Sequence, residues 1–162
     1  MTEETNANEA QYRIVALDYS YSAFGLVLDL LSRHPPFSDA TLEQMSKTIR
    51  KQLRRGRNAA AFSPKGELLA YAGWVTTLRA SAELWVAGQG PLKVVEGESD
   101  ALAMTVVVSE SQSVTKALMR RAREMNPNKN WYFKRSYSGQ FRAPRKQGLF
   151  DRTDRGDGEG TL

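Results

Sequence analysis

Apolar residues recur at helical spacing over residues 21–33, where Phe24, Val27, Leu28 and Leu31 form one stripe and Ser20 or Ser22 stands where an N-cap belongs. This predicts a helix with one buried face, ended by Pro35 and Pro36. A second helix is expected to open near Ser38, with Thr41 and Gln44 at capping-box spacing and Leu42, Met45, Ile49 and Leu53 on its apolar side. A hairpin follows. Residues 58–63 are small and apolar, Pro64-Lys65-Gly66 forms a turn, and residues 67–77 form a long apolar strand with Trp74 near its end.

Residues 81–100 contain Gly88, Gly90, Pro91 and Gly97, with Trp85 as the main anchor, and read as a poor strand followed by a loop. Residues 101–108 (Ala-Leu-Ala-Met-Thr-Val-Val-Val) have the composition of a strand buried on both faces. Ser109 and Gln112 make a further capping pair, opening a helix with Val114, Leu118, Ala122 and Met125 inside and Asn126-Pro127 at its end. Residues 131–138 form an aromatic strand, and residues 141–150 are expected to return beside it after Gly139. The order of elements implies an α+β fold, a small mixed, mainly antiparallel sheet flanked by helices.

The domain is expected over residues 11–150. Residues 1–10 carry no hydrophobic pattern, and residues 151–162 alternate charge with glycine, so both ends read as disordered. The N-terminus is polar and acidic, unlike a signal peptide, and no apolar run reaches the length of a membrane span. The absence of cysteine excludes disulfides, thiolate nucleophiles and cysteine metal sites. Together these imply a cytoplasmic protein. The net charge of +5 favours acidic partners, among them proteins and nucleic acid. Cations gather in three places. They are the helix face with Lys47, Arg50, Lys51, Arg54, Arg55 and Arg57, the trio Arg120, Arg121 and Arg123, and the late group Lys134, Arg135, Arg142, Arg145 and Lys146. Aromatic residues interleave the last group, which suits either a nucleic-acid surface or a solvated strand face.

One histidine is present, His34, at the end of the first helix. Its titration range suits a general base, and the same position also favours a histidine through the helix dipole. There is no HExxH pair, Gly-x-Ser-x-Gly elbow or phosphate-binding glycine loop, and metal-dependent or serine hydrolysis gains no support.

Across residues 24–150 the chain resembles the toxin-activating lysine acyltransferases, whose fold is related to the Gcn5-type (GNAT) N-acetyltransferases. The likeness is carried by Leu30-Leu31-Ser32-Arg33-His34, by Ile49-Arg50, by Leu69-Ala70-Tyr71-Ala72-Gly73-Trp74, and by Phe133-Lys134-Arg135 through Arg142 to Gly148-Leu149-Phe150. The resemblance implies transfer of an acyl group from acyl carrier protein (or acyl-CoA), as co-substrate with no tightly bound cofactor and no metal, to an internal lysine of a protein acceptor. His34 would be the base. The second catalytic residue of that family, an aspartate on the strand before the last helix, falls at Met104-Thr105, flanked by Asp100 and Glu110. The resemblance further implies an acyl site near Ser32, Gly73, Trp74 and Thr105, with Arg50, Arg54, Arg120 and Arg121 receiving the carrier. An acetyl-CoA-dependent N-acetyltransferase, or an inactive module of the same fold binding an acidic protein or nucleic acid, are the alternatives. A homodimer is compatible with each.

Overall fold

The computed structural model describes residues 11–134, and the expectations for residues 1–10, for the strand beyond Lys134, for its partner at 141–150 and for the tail lie outside them. Five strands form one sheet in the order β1 (Arg13–Val15), β2 (Asn58–Phe62), β3 (Leu68–Thr77), β4 (Ala101–Val108) and β5 (Asn130–Phe133). β1 to β4 pair antiparallel, and β5 joins β4 in parallel through the crossover helix that precedes it. The expected α+β architecture, with its mixed and mainly antiparallel sheet, is the one observed. β1 is an addition to that expectation.

Helices α1 (Tyr21–Ser32) and α2 (Leu42–Arg54) cover one face of the sheet, burying Val27, Leu30, Leu31, Ile49 and Leu53 against Ala60, Tyr71, Val106 and Val108. Helix α4 (Gln112–Met125) covers the other, setting Val114, Leu118 and Ala122 on Ala59, Ala61, Ala72, Trp74, Leu102 and Trp131. The alternation of strand residues between two faces explains why Ala59-Ala60-Ala61 is buried throughout.

The caps follow the sequence closely. Ser20 Oγ accepts the Ala23 N–H at 3.0 Å, and Thr41 Oγ1 accepts the Gln44 N–H at 3.2 Å. Thus α2 begins at Leu42; the stretch nearer Ser38 is a short 3-10 turn, Phe37–Asp39, held by backbone bonds from the proline corner. The cap of α4 is Ser111 rather than Ser109, whose hydroxyl accepts the Ser111 N–H instead.

A larger correction concerns residues 81–100. Their first part is a helix, α3 (Arg79–Val86), not a strand. Ala80, Ala82, Glu83 and Leu84 are good helix formers, and Arg79 pairs with Glu83 one turn on at 2.9 Å. Asp100 then closes the N-terminus by accepting the Arg79 N–H at 2.8 Å. The glycines lie beyond the helix, where Gly88 takes φ 72°.

β4 contains an irregularity that matters for the site. Gly73 pairs with Val106 and Trp74 with Met104, leaving Thr105 as an extra residue with no counterpart on β3. The bulge reverses the alternation. Before it, Leu102 and Met104 face α4; after it, Val106 and Val108 face α1 and α2.

Leu118, fully buried at the centre of α4, ties that helix to the sheet. Leu118→Ala is expected to cost about 2–5 kcal/mol. Urea unfolding followed by circular dichroism checks this, and a loss below about 0.5 kcal/mol would mean that the α4 interface is not a fixed core.

Candidate active site

His34 follows the C-cap residue Arg33, and its ring folds back on the helix. Nδ1 lies 2.8 Å from the Leu30 carbonyl oxygen. A carbonyl only accepts, so Nδ1 carries the proton, and Nε2 is the nitrogen turned outward. Nε2 lies 3.2 Å from Glu110 Oε1, across 76 residues of chain. The carboxylate faces Nε2, and the two form an ion pair whenever the ring carries both protons.

Beside this pair opens a cleft of about 750 Å3. It begins where β5 stops. The β4–β5 ladder ends at Met104 and Phe133, and among the described residues the edge of β4 from Thr105 to Val108 has no partner on that side. Pro35, Pro36 and Phe37, directly after His34, form one wall. The opposite wall is one face of α4, with Gln112, Thr115, Lys116, Met119, Arg120 and Arg123 at successive turns. Met104, Thr105, Val107 and Phe133 form the floor, and Trp85 and Lys134 close the far end with the ammonium 5.3 Å from the indole centroid. The cleft is thus apolar within and cationic along one rim.

Thr105 reaches the cleft because of the bulge, and a buried polar chain holds it from behind. Tyr71 donates its hydroxyl to Gln52 Oε1 at 3.0 Å, and Gln52 Nε2 donates to Thr105 Oγ1 at 3.0 Å. Gln52 is 1% exposed and Tyr71 is fully buried. Burial pushes the Tyr71 phenol well above its ordinary range, so it keeps its proton. Gly73 makes room for this chain. A Cβ on it would lie 2.0 Å from Gln52 Oε1.

The other sequence candidates are dispersed. Asp100 caps α3 at the beginning of β4, and Glu110 follows its end. Eight residues of strand, about 25 Å, separate them, and only Glu110 meets His34. Ser32 turns its hydroxyl to the Asp29 carbonyl in its own helix. Trp74 is buried in the core, edge-on to Trp131 with centroids 5.6 Å apart, one strand behind the cleft residue Met104. Arg50 and Arg54 of α2 lie over the rings of Phe24 and Tyr19. Their neighbours Lys51, Arg55 and Arg57 converge on Glu96 at 2.6, 3.2 and 3.6 Å, and the hydrogen bond from Lys51 holds that carboxyl below its ordinary range. Of the trio on α4, Arg120 lines the cleft while Arg121 turns to Glu124 at 3.8 Å.

No protein-family model and no curated protein matches the sequence. Among solved structures the chain is similar to an HPA2-related acetyltransferase from Corynebacterium glutamicum, with TM-score 0.45 and 13% identity over 76% of each chain. It is also similar to the mosquito arylalkylamine N-acetyltransferase-like protein 5b, with TM-score 0.48 and 9% identity over 70% of each chain. A GNAT-family acetyltransferase from Streptococcus agalactiae gives TM-score 0.47 and 9% identity over 74% of this chain and 73% of its own. Likenesses of this size assign no chemistry.

Sequence reasoning missed three members of the site. Lys116 was legible, one helical turn before Arg120. Gln52 had no separate signal because it sits between basic residues on a helix read as exposed there. Tyr71 was placed in its strand but not on a polar network.

The retained Tyr71 proton has a consequence at alkaline pH. Above about pH 10 the unfolded chain loses this proton and the folded chain keeps it, so stability falls as pH rises, by up to about 1.4 kcal/mol per pH unit. In Tyr71→Phe this contribution is absent, and the alkaline limb becomes shallower. Urea unfolding between about pH 8 and pH 11 reads the two slopes; equal slopes would place the Tyr71 hydroxyl in contact with solvent.

Proposed function

We propose that this protein is an acyltransferase that moves an acyl group from a thioester donor to a primary amine, with His34 as general base and Glu110 as its carboxylate partner. The observation that carries the reading is the pairing of His34 Nε2 with Glu110 next to a cleft whose lining begins at Pro35, the residue after His34, and includes the edge of β4 that has no partner among the described residues. A protonated lysine cannot attack a thioester, so a base presented beside an apolar, acyl-accepting cleft has a definite task. His34 takes the proton, and the carboxylate of Glu110 stabilises the imidazolium that results.

The donor that fits best is acyl carrier protein, and the acceptor a lysine ε-amine on a protein. The β4–α4 turn offers little to a pyrophosphate. Ser109 Oγ already accepts the Ser111 N–H, Ser111 Oγ accepts the Val114 N–H, and Glu110 adds negative charge. The cations lie farther along, at Lys116 and Arg120, where neither forms an ion pair among the described residues. A pantetheine arm laid through the cleft, with its single phosphate at that rim and an acidic carrier outside, matches this distribution. The same two cations favour a second reading, acetyl-CoA as donor with its phosphates displaced along α4.

Mass spectrometry of the protein incubated with acyl-acyl carrier protein, acetyl-CoA and lysine-containing acceptors tests both. Acylated acceptor is expected, with His34→Ala lowering the rate about 10²–10⁴-fold. Preference for acetyl-CoA would select the second reading. No transfer above the blank from either donor, beside binding to an acidic protein or nucleic acid, would replace both with a binding module.

Charge reversal separates donor docking from chemistry. Lys116→Glu with Arg120→Glu is expected to raise KM for the carrier donor while leaving kcat within about threefold, with the difference shrinking as salt rises from 0.05 to about 0.5 M. A salt-independent change in kcat would argue that these residues serve the reaction centre.

A further inference from the structure

The direction of the buried hydrogen-bond chain is determined by its inner end. Tyr71 is fully enclosed, its phenol remains protonated, and the Gln52 side chain is the acceptor within reach. Gln52 must therefore turn its carbonyl oxygen to Tyr71 and its amide hydrogens to Thr105. The opposite amide orientation would leave the buried phenol hydrogen unpaired. Thr105 Oγ1 is thereby made an acceptor on its buried side. Its own hydrogen is left to be donated, and Thr105 is one of the residues that line the cleft.

We propose that the Thr105 hydroxyl donates a hydrogen bond to the acyl carbonyl oxygen of the bound thioester, and that Tyr71 and Gln52 are positioning residues that fix the direction of this proton. The proposal rests on the acyl-transfer reading. The amine nitrogen attacks the thioester carbon, forming the C–N bond, while the carbonyl π pair moves to oxygen and is held by the Thr105 O–H. Collapse reforms the C=O bond and breaks the C–S bond. The proton lost by nitrogen passes to His34 Nε2 and then to the leaving sulfur, so thioester and amine give amide and thiol. Thr105 neither gains nor loses a proton overall.

Preorganisation is what the buried chain contributes. A threonine hydroxyl free to rotate spends part of its time pointing elsewhere; one that already accepts from a fixed amide keeps its donor direction before charge develops on oxygen. Gly73 belongs to the same device, because any side chain there displaces the amide that sets the direction. The half-buried bulge position provides the rest, since in a regular strand residue 105 would have a partner on β3.

The test uses the full chain with octanoyl-acyl carrier protein and a lysine peptide, following thiol release. Thr105→Val preserves shape and removes the donor; kcat is expected to fall about 10²–10³-fold with KM nearly unchanged. Thr105→Ser should recover most of the loss. The double variant Gln52→Leu/Tyr71→Phe removes both inner partners together, leaving neither buried group unpaired, and should lower kcat about tenfold while Thr105 remains. A spectroscopic arm uses an octanoyl-pantetheine analogue with 13C at a ketone in place of the thioester. Its bound carbonyl stretch should shift to lower frequency in the wild type and in Thr105→Ser, and return to the unbound value in Thr105→Val. Turnover that requires His34 but survives Thr105→Val, with an unchanged carbonyl stretch, overturns this inference and leaves the acyl-transfer reading standing. Absence of turnover in the wild type, with this donor and with acetyl-CoA alike, overturns that reading itself. A shift in the carbonyl stretch that is insensitive to Thr105 assigns the donor to another group.

Discussion

A primary amide buried between a helix and a sheet has to find partners on every side, and the Gln52 amide organises much of this molecule around that requirement. Leaving such a group unpaired costs about 1–3 kcal/mol. Gln52 Oε1 meets Tyr71 on β3, and Nε2 meets Thr105 on β4. The sheet in turn accommodates it twice, with Gly73 lacking the Cβ that would collide and with a bulge that brings Thr105 into reach. The packing of α2, the register of β3 against β4 and the cleft floor at Thr105 all meet at this one interaction.

The bulge also explains why the cleft can be reached from both faces. Up to Met104 the sheet is continuous and β5 covers its edge; beyond it the strand alternation has reversed and β5 has ended. The proline corner after α1 and the exposed face of α4 lie on opposite sides of the sheet, yet both border the opening. A donor arm and an acceptor side chain approaching from different sides would meet at the β4 edge. His34, directly before the proline corner, is held by the Leu30 carbonyl, and the turn that leaves β4 brings Glu110 to it.

Local features were legible in the sequence where a local rule governs them. Ser20, Thr41, the turn at Gly66 and the buried composition of residues 101–108 each announce an element through capping, backbone freedom or burial. Three-residue β1 is too short for a periodic signal, and Asn58 does much to secure the chain beyond it, exchanging hydrogen bonds with both backbone groups of Leu17. Helix α3 was obscured because glycines and a proline later in the same stretch outweighed the helix formers clustered before Gly88. The bulge at Thr105 is a property of register between strands, and the meeting of His34 with Glu110 is a property of tertiary structure, so neither could be read from spacing. His34 could be singled out by residue type and place. Which of Asp100 and Glu110 accompanies it could not, because they flank β4 equally in sequence and lie at its opposite ends in space.

The charge distribution argues in the same direction as the geometry. Much of the basic face of α2, the most conspicuous run of cations in the sequence, is internally committed: Lys47 to Glu43, Lys51, Arg55 and Arg57 to Glu96, and Arg50 and Arg54 to aromatic rings. Exposed pairs of this sort contribute little to stability, but they do lower the local potential that a partner would feel. On α4 the contrast is between Arg121, paired with Glu124, and Lys116 with Arg120, directed along the cleft rim. A surface evolved for general polyanion binding would gain from leaving α2 uncompensated. Cations beside an apolar cleft that have no ion-pair partner among the described residues instead suit the ligand proposed above, a hydrocarbon chain with a few negative charges at one end.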